Sequence, residues 1–164
     1  AQDDYGRFDN TLRVFDVYSG KQKPFFQPSG PTGSGRICDW PFLKWSHDEK
    51  YFAFNRAKGD SVNVYNAETF TLENQIRLAG LITFEWNPKK NIIAYCIKDK
   101  MFGSQKMFEV GIIEYPSKTN IFSQLFFVFT SKKLYWDESG EYLAAQTERS
   151  VPRNIPRGRT VGGV

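Results

Sequence analysis

Three tryptophans sit in the same local pattern, and that repetition limits what this chain can fold into. LKWSHDEKYFA (43–53), FEWNPKKNIIA (84–94) and LYWDESGEYLA (134–144) each carry an apolar residue two before the Trp. A polar turn of about five residues follows, then an apolar pair ending in Ala, eight residues beyond the Trp. Trp45, Trp86 and Trp136 are 41 and 50 residues apart. A second pattern repeats in step: LRVFDVYSGK from Leu12, VNVYNAETFT from Val62 and GIIEYPSKTN from Gly111, with starts 50 and 49 apart. Self-similarity at this spacing marks stacked structural units, each unable to bury both of its faces alone.

Both patterns alternate apolar and polar residues with period two, the spacing of a half-buried strand. Val62, Val64 and Asn66 face one way, Asn63 and Tyr65 the other. The joints Ser-His-Asp, Asn-Pro-Lys-Lys, Asp-Glu-Ser-Gly and Tyr-Ser-Gly are turn formers, and no stretch sustains a helical period. The pattern therefore predicts an all-β chain, a fragment of a WD-repeat-like β-propeller with about two complete four-stranded blades and two partial ones. Blades are expected to open near 42, 81 and 131, with an incomplete blade before 42. Residues 1–147 would form this partial propeller and 148–164 a basic Pro/Gly/Arg-rich loop or tail. Propellers close with roughly 4 to 8 blades, so the expectation is a piece of a larger ring. The start at Ala1, Gln2, Asp3 and Asp4 reads as a cut rather than an initiator or a secretory signal. Trp45, Trp86 and Trp136 are expected as core residues wedged between blades, with Ala53, Ala94 and Ala144 buried where blades approach closely. The Trp-Asp at 136–137 opens a blade here, whereas in a WD repeat that dipeptide closes a third strand.

Composition removes several classes. Hydrophobic residues make up 40%, aromatic residues 16% and charged residues 24%, a globular balance. No run of hydrophobic residues exceeds six (92–97), and the run 125–129 has five, against about twenty for a membrane helix. No membrane partner is expected. Cys38 and Cys96 make no disulfide framework, and the chain has no Asn-x-Ser/Thr sequon, which together point to two buried free thiols in a reducing cytoplasm. The net charge of +4 is uneven: residues 148–164 hold four Arg against Glu148, a net of +3. That segment, with Arg149, Arg153, Arg157 and Arg159, is a candidate contact for nucleic acid or an acidic surface, and Lys132 and Lys133 come next.

Catalytic chemistry finds no foothold. GPTGSGR (30–36) approaches a phosphate-binding loop, but Arg36 replaces the Lys, Ile37 replaces the hydroxyl, and no helix follows. His47 is the one histidine, expected to hydrogen-bond its own turn together with Asp48. Cys38 and Cys96 lack metal-ligand spacing. The pairs Asp3-Asp4 and Asp137-Glu138 are adjacent in sequence, unlike a glycosidase pair. The expectation is no catalytic residue, no cofactor, no metal and no small-molecule substrate.

WPFLKWSHDEKYFA (40–53) resembles the WPxFKWSHDxKFFA stretch in the propeller of the b subunit of eukaryotic translation initiation factor three. FEWNPKKNIIAY (84–95) resembles that family's next blade opening, and SQLFFVFTSKKLYWDESGEYLA (123–144) its following blade, in the same order. RAKGDSVNVYN from Arg56 and the loop 28–36 depart from the family pattern. The resemblance implies a cytoplasmic, non-enzymatic scaffold of translation initiation. It would bind the other subunits of that factor and the small ribosomal subunit, both its RNA and its proteins. Under it, Arg149, Arg153, Arg157, Arg159, Lys132 and Lys133 become ribosome or partner contacts. The alternatives are the propeller of the related initiation factor two A, another WD-repeat scaffold or, further off, a propeller enzyme or nucleotide binder.

Overall fold

The computed structural model describes residues 14–23, 43–55, 60–127 and 133–146, and among them every regular element is a strand. β1 (Leu43–Trp45), β2 (Tyr51–Asn55), β3 (Ser61–Asn66) and β4 (Leu72–Arg77) form one antiparallel sheet in chain order. β5 (Leu81–Trp86), β6 (Ile92–Phe102), β7 (Gln105–Glu114) and β8 (Asn120–Phe127) form a second with the same order. β9 (Lys133–Trp136) and β10 (Leu143–Gln146) pair antiparallel as a third. The first strands β1, β5 and β9 lie side by side, so they line the axis and later strands run outward. Two four-stranded sheets and a two-stranded one, stacked face to face about their first strands, make a partial propeller.

Each turn between first and second strands is closed by the residue after the Trp. Tyr51 N–H donates to Ser46 Oγ at 3.1 Å, Lys89 and Lys90 N–H to Asn87 Oδ1 at 2.9 Å each, and Tyr142 N–H to Asp137 Oδ1 at 2.8 Å. Ser, Asn and Asp do this because a short polar side chain reaches its own backbone. Turns between third and fourth strands also share one form. Phe70 N–H donates to Asn66 O at 2.9 Å and Lys118 N–H to Glu114 O at 2.8 Å, with left-handed φ of 59° at both Phe70 and Lys118. Residues 14–23 repeat it: Gly20 N–H donates to Asp16 O at 2.8 Å, Gly20 has φ 66°, and Phe15 bridges Gln22. The bridge corresponds to Tyr65 opposite Leu72 and Ile113 opposite Asn120. Residues 14–23 are therefore a third-and-fourth-strand hairpin.

The core lies between the sheets. Ala53, Val62, Val64 and Ile76 of the first sheet pack on Phe84, Trp86, Ile93, Tyr95 and Ile97 of the second. Ala94, Cys96 and Val110, on the opposite face of the second sheet, close on Leu134 of the third. Period two makes this double-sided packing automatic, and each large side chain so buried contributes about 1.5–3 kcal/mol. The tryptophans add a directed bond. Trp86 Nε1–H donates to Lys44 O at 3.2 Å, and Trp136 Nε1–H to Glu85 O at 3.5 Å. In both cases the acceptor is the carbonyl just before the previous sheet's Trp. Lys44 Nζ reaches across to Phe84 O at 2.8 Å, pairs with the Glu85 carboxylate and lies 5.3 Å from the centre of the Phe84 ring.

Trp86, Ala53 and Ala94 are buried. Two other expected core residues are not: Trp45 is 42% exposed and Ala144 is exposed. Trp136 is half-buried. The cause is positional. In this register each Trp faces the preceding sheet and each Ala the following one. Trp45 rests on Phe52, with ring centroids 5.3 Å apart, and only the 14–23 hairpin precedes it among the described residues. Ala144 faces away from the second sheet, beside exposed Tyr135, and no described sheet lies beyond it.

Candidate interaction surface

Antiparallel order sorts the connections onto two ends of the sheets. The turns 46–50, 87–91 and 137–142, with 67–71 and 115–119, share one end. Its charge is mixed: Lys50, Lys89, Lys90 and Lys118 stand against Glu49, Glu68, Glu138 and Glu141, all exposed. His47 does not stay within its own turn. Its Nδ1 lies 3.0 Å from Asn91 Oδ1, and Asn91 Nδ2 donates to Asp48 Oδ2 at 3.2 Å. Ser46 Oγ and Lys50 N–H also donate to Asp48 Oδ1. The trio stitches the first and second sheets, as Asn87 Nδ2 donating to Gly140 O at 2.8 Å stitches the second and third. An open cavity of about 360 Å³ lies here against Trp86, Trp136, Glu85 and Asp137. Hydrogen bonds from Ser139 and then from the Tyr142 N–H hold the Asp137 carboxyl below the ordinary Asp value.

The other end is where β4 stops, β6 overshoots and β9 begins. Arg77 ends β4, Lys98 and Lys100 lie on the β6 extension, and Lys133 opens β9, all exposed. Lys100 is answered: its Nζ sits 3.0 Å from Glu109 Oε2, while Tyr95 Oη–H donates to Glu109 Oε1 at 2.7 Å. Burial, the hydrogen bond to Glu109 and that carboxylate's charge push the Tyr95 phenol well above 10. Arg77, Lys98 and Lys133 make no ion pair among the described residues. Three unanswered cations at one end make it a phosphate- or carboxylate-seeking surface. The β6–β7 tip extends beyond them with Met101 and Phe102, 59% and 64% exposed.

Of the sequence-derived contacts, Lys133 lies on this end. Lys132, Arg149, Arg153, Arg157 and Arg159 fall outside the described residues, as do Cys38 and the 30–36 loop. β10 ends at Gln146 on the same end, so the chain leaves toward 147–164 beside Lys133. Arg77 and Lys98 carry no signal of their own in the sequence. Only their place at a strand end and on a strand extension, once the repeat is drawn, brings them to one side. Cys96 is a buried free thiol, and burial pushes it up to about 11. Among the described residues no group of three His, Cys, Asp or Glu is placed to hold a metal, and no helix is long and apolar enough to cross a membrane.

No family model matches the chain. Curated relatives do. The B subunit of eukaryotic translation initiation factor 3 from Arabidopsis thaliana is 29% identical over 148 residues, covering 84% of this chain and 20% of the relative. Its counterpart from Schizosaccharomyces pombe is 31% identical over 147 residues, covering 83% of this chain and 20% of the relative. The chain is homologous to part of the B subunit of eukaryotic translation initiation factor 3. It spans about a fifth of the length of these relatives. Among solved structures, the crystal structure of a eukaryotic initiation factor aligns with TM-score 0.57 at 19% identity, over 82% of this chain and 34% of that one. The tricorn protease aligns with TM-score 0.59 at 16% identity, over 86% of this chain and 13% of that one. At such identities the likeness to the two structures concerns the fold alone.

Proposed function

We propose that this chain acts in translation initiation as a non-enzymatic scaffold segment in the cytoplasm, joining other subunits of initiation factor 3 and resting on the small ribosomal subunit. The homology to the B subunit of that factor, over more than four-fifths of the chain, carries the reading. The physical means is the basic end of the sheets. Arg77, Lys98 and Lys133 stand there unpaired among the described residues, and the chain leaves β10 toward Arg149, Arg153, Arg157 and Arg159 from the same end. Residues 148–164, with their four Arg, and Lys132 would add to this basic contact. Contacts from Lys and Arg to phosphate release counterions, so affinity falls steeply with salt and carries little sequence preference. Hydrophobic packing of the sheets leaves their strand ends free for this role.

The test changes Arg77, Lys98 and Lys133 to Glu in one variant and the four tail Arg to Ala in another, within the protein that carries this chain. Co-sedimentation with small ribosomal subunits is followed across a salt titration, and co-purification of partner subunits is scored separately. Weaker ribosome binding with a shallower salt slope is expected, about 0.7–0.9 less per phosphate contact removed. Ribosome binding unchanged in both variants at every salt would overturn the contact assignment.

A further inference from the structure

The β6–β7 hairpin outruns the sheets on either side of it. Ala53, Ala94 and Ala144 hold equivalent places, so β2, ending at Asn55, and β10, ending at Gln146, both stop level with Cys96. β6 runs on from Ile97 to Phe102, roughly 15–20 Å at about 3.3 Å per residue. Its sheet is packed against the first sheet on one face and the third on the other, so the tip projects past both layers. The tip is also braced. Gly103, with φ 61°, takes the first central place of the two-residue turn Gly103-Ser104, and Phe102 lies opposite Gln105. At its base Lys98 N–H donates to Gly80 O at 2.9 Å. Lys100, opposite Met107, reaches back 3.0 Å to Glu109, a buried carboxylate that Tyr95 Oη–H also holds.

Gly and Ser suffice to turn such a hairpin. Met101 and Phe102 beside them are mostly exposed, and Phe102 meets no other ring among the described residues. Adjacent apolar side chains on a braced tip are surface offered to a partner. Charge selects which one. The bond to Gly80 holds Lys98 beside the end of β4, where Arg77 stands, and Lys133 opens β9 on the same end. The exposed carboxylate described next to them is Asp60. Cations behind an aromatic tip match a single nucleic-acid strand, whose phosphates meet the ammonium and guanidinium groups while a base offers a π face to the ring. A duplex keeps its base faces covered, and the major groove of A-form RNA is too narrow for side chains to read.

We propose that the β6–β7 tip binds unpaired RNA, with Phe102 stacked on an exposed base, Met101 packed beside it, and Lys98 with Arg77 on phosphates of the same strand. This rests on the ribosome contact argued above and sharpens it: that contact asks only for phosphate charge, whereas the tip asks for a base out of its helix. The Lys100–Glu109 pair holds the tip in place and leaves the phosphates to the cations that have no carboxylate of their own. Gly111 belongs to the same device, because only a residue without a side chain lets the Tyr95 ring cross to Glu109.

The test uses the full-length protein that carries this chain. The probe is a thiouridine-substituted oligouridylate of about 12 nucleotides, alone and as its duplex with oligoadenylate. Photo-cross-linking should join the single strand, and not the duplex, to the peptide holding Met101 and Phe102, even where other parts of that protein grip the same strand. Phe102→Leu keeps the apolar bulk and removes the π face. It should weaken single-strand binding through the tip roughly 5- to 150-fold and lower the cross-link yield to match, while Phe102→Trp restores both. On small ribosomal subunits Phe102→Leu should weaken binding with the salt slope unchanged, because stacking releases no counterion. A probe that cross-links only elsewhere, or a yield at the tip that Phe102→Leu leaves unchanged, overturns the proposal. If the Arg77, Lys98 and Lys133 to Glu variant still loses ribosome binding in that case, the ribosome contact stands and the stacking falls; if it does not, both fall. A Phe102→Leu defect confined to co-purification of partner subunits also overturns it, in favour of a protein contact.

Discussion

An indole N–H is the smallest device that ties one sheet to the next. Trp86 combines it with near-complete burial between two sheets. Trp86→Ala should lower stability by about 3–5 kcal/mol, the usual range for a buried aromatic. Trp86→Phe keeps most of the apolar contact and loses the bond to Lys44 O, so a smaller loss of about 1 kcal/mol beyond the volume change is expected. Denaturant unfolding of the two variants separates these terms, and a loss under about 1 kcal/mol for Trp86→Ala would contradict the packing. Cys96 gives a pH signature. Unfolded, its thiol ionises near 9.0, while burial holds it protonated to about 11. The folded state thus keeps a proton that the unfolded chain releases, and stability present below pH 9 declines as pH climbs toward 11. The slope from this group is about 1.4 kcal/mol per pH unit. Cys96→Ala should flatten that decline in guanidinium unfolding between pH 9 and 10, below the range where the raised Tyr95 and Tyr115 phenols add to it.

At the scale of the element, the third-to-fourth-strand turn imposes a left-handed residue, and the sequence meets it unevenly. The first hairpin uses Gly20, but the later ones place Phe70 and Lys118 there. Lys118 is exposed, so Lys118→Gly removes the strain of a Cβ in this region. A gain of up to about 1 kcal/mol in thermal or chemical unfolding is the expected result. Gly111 shows the opposite case. A Cβ there would lie 2.2 Å from the Tyr95 ring, which crosses its backbone on the way to Glu109. Gly111→Ala must displace Tyr95 from Glu109, at a cost of about 1–3 kcal/mol. These turns are visible in the sequence as Tyr-Ser-Gly and its equivalents. The bond of His47 to Asn91 is not, because nothing in the local sequence brings residues 44 apart to one place. Only the stacking of successive sheets does so. β8 (NIFSQLFF) carries no charge along its length and forms the outer edge of its sheet. Outer edges without charge invite pairing with other chains, so Ser123→Lys should raise the concentration at which the chain first scatters light without lowering its unfolding midpoint.

For the whole molecule, the fold class is legible because two signals agree: a period of two inside each strand and a Trp recurring once per sheet. The burial of every Trp and Ala is not, since alternation assigns a side chain to a face and cannot say whether a neighbour covers that face. Trp45 and Ala144 differ from Trp86 and Ala94 only in standing at the first and last inner strands described. The charged end is half legible. Lys133 stands out in the sequence, but Arg77 and Lys98 join it only when antiparallel order turns strand ends into neighbours. The indole bond has one more consequence. Its acceptor is a main-chain carbonyl, supplied by Lys44 in one sheet and Glu85 in the next, so the neighbouring side chain is free to vary. A duplicated stretch of some forty to fifty codons would bring donor and acceptor together, already matched to whatever precedes and follows. A gene built this way can lengthen or shorten by whole modules without waiting for compensating changes.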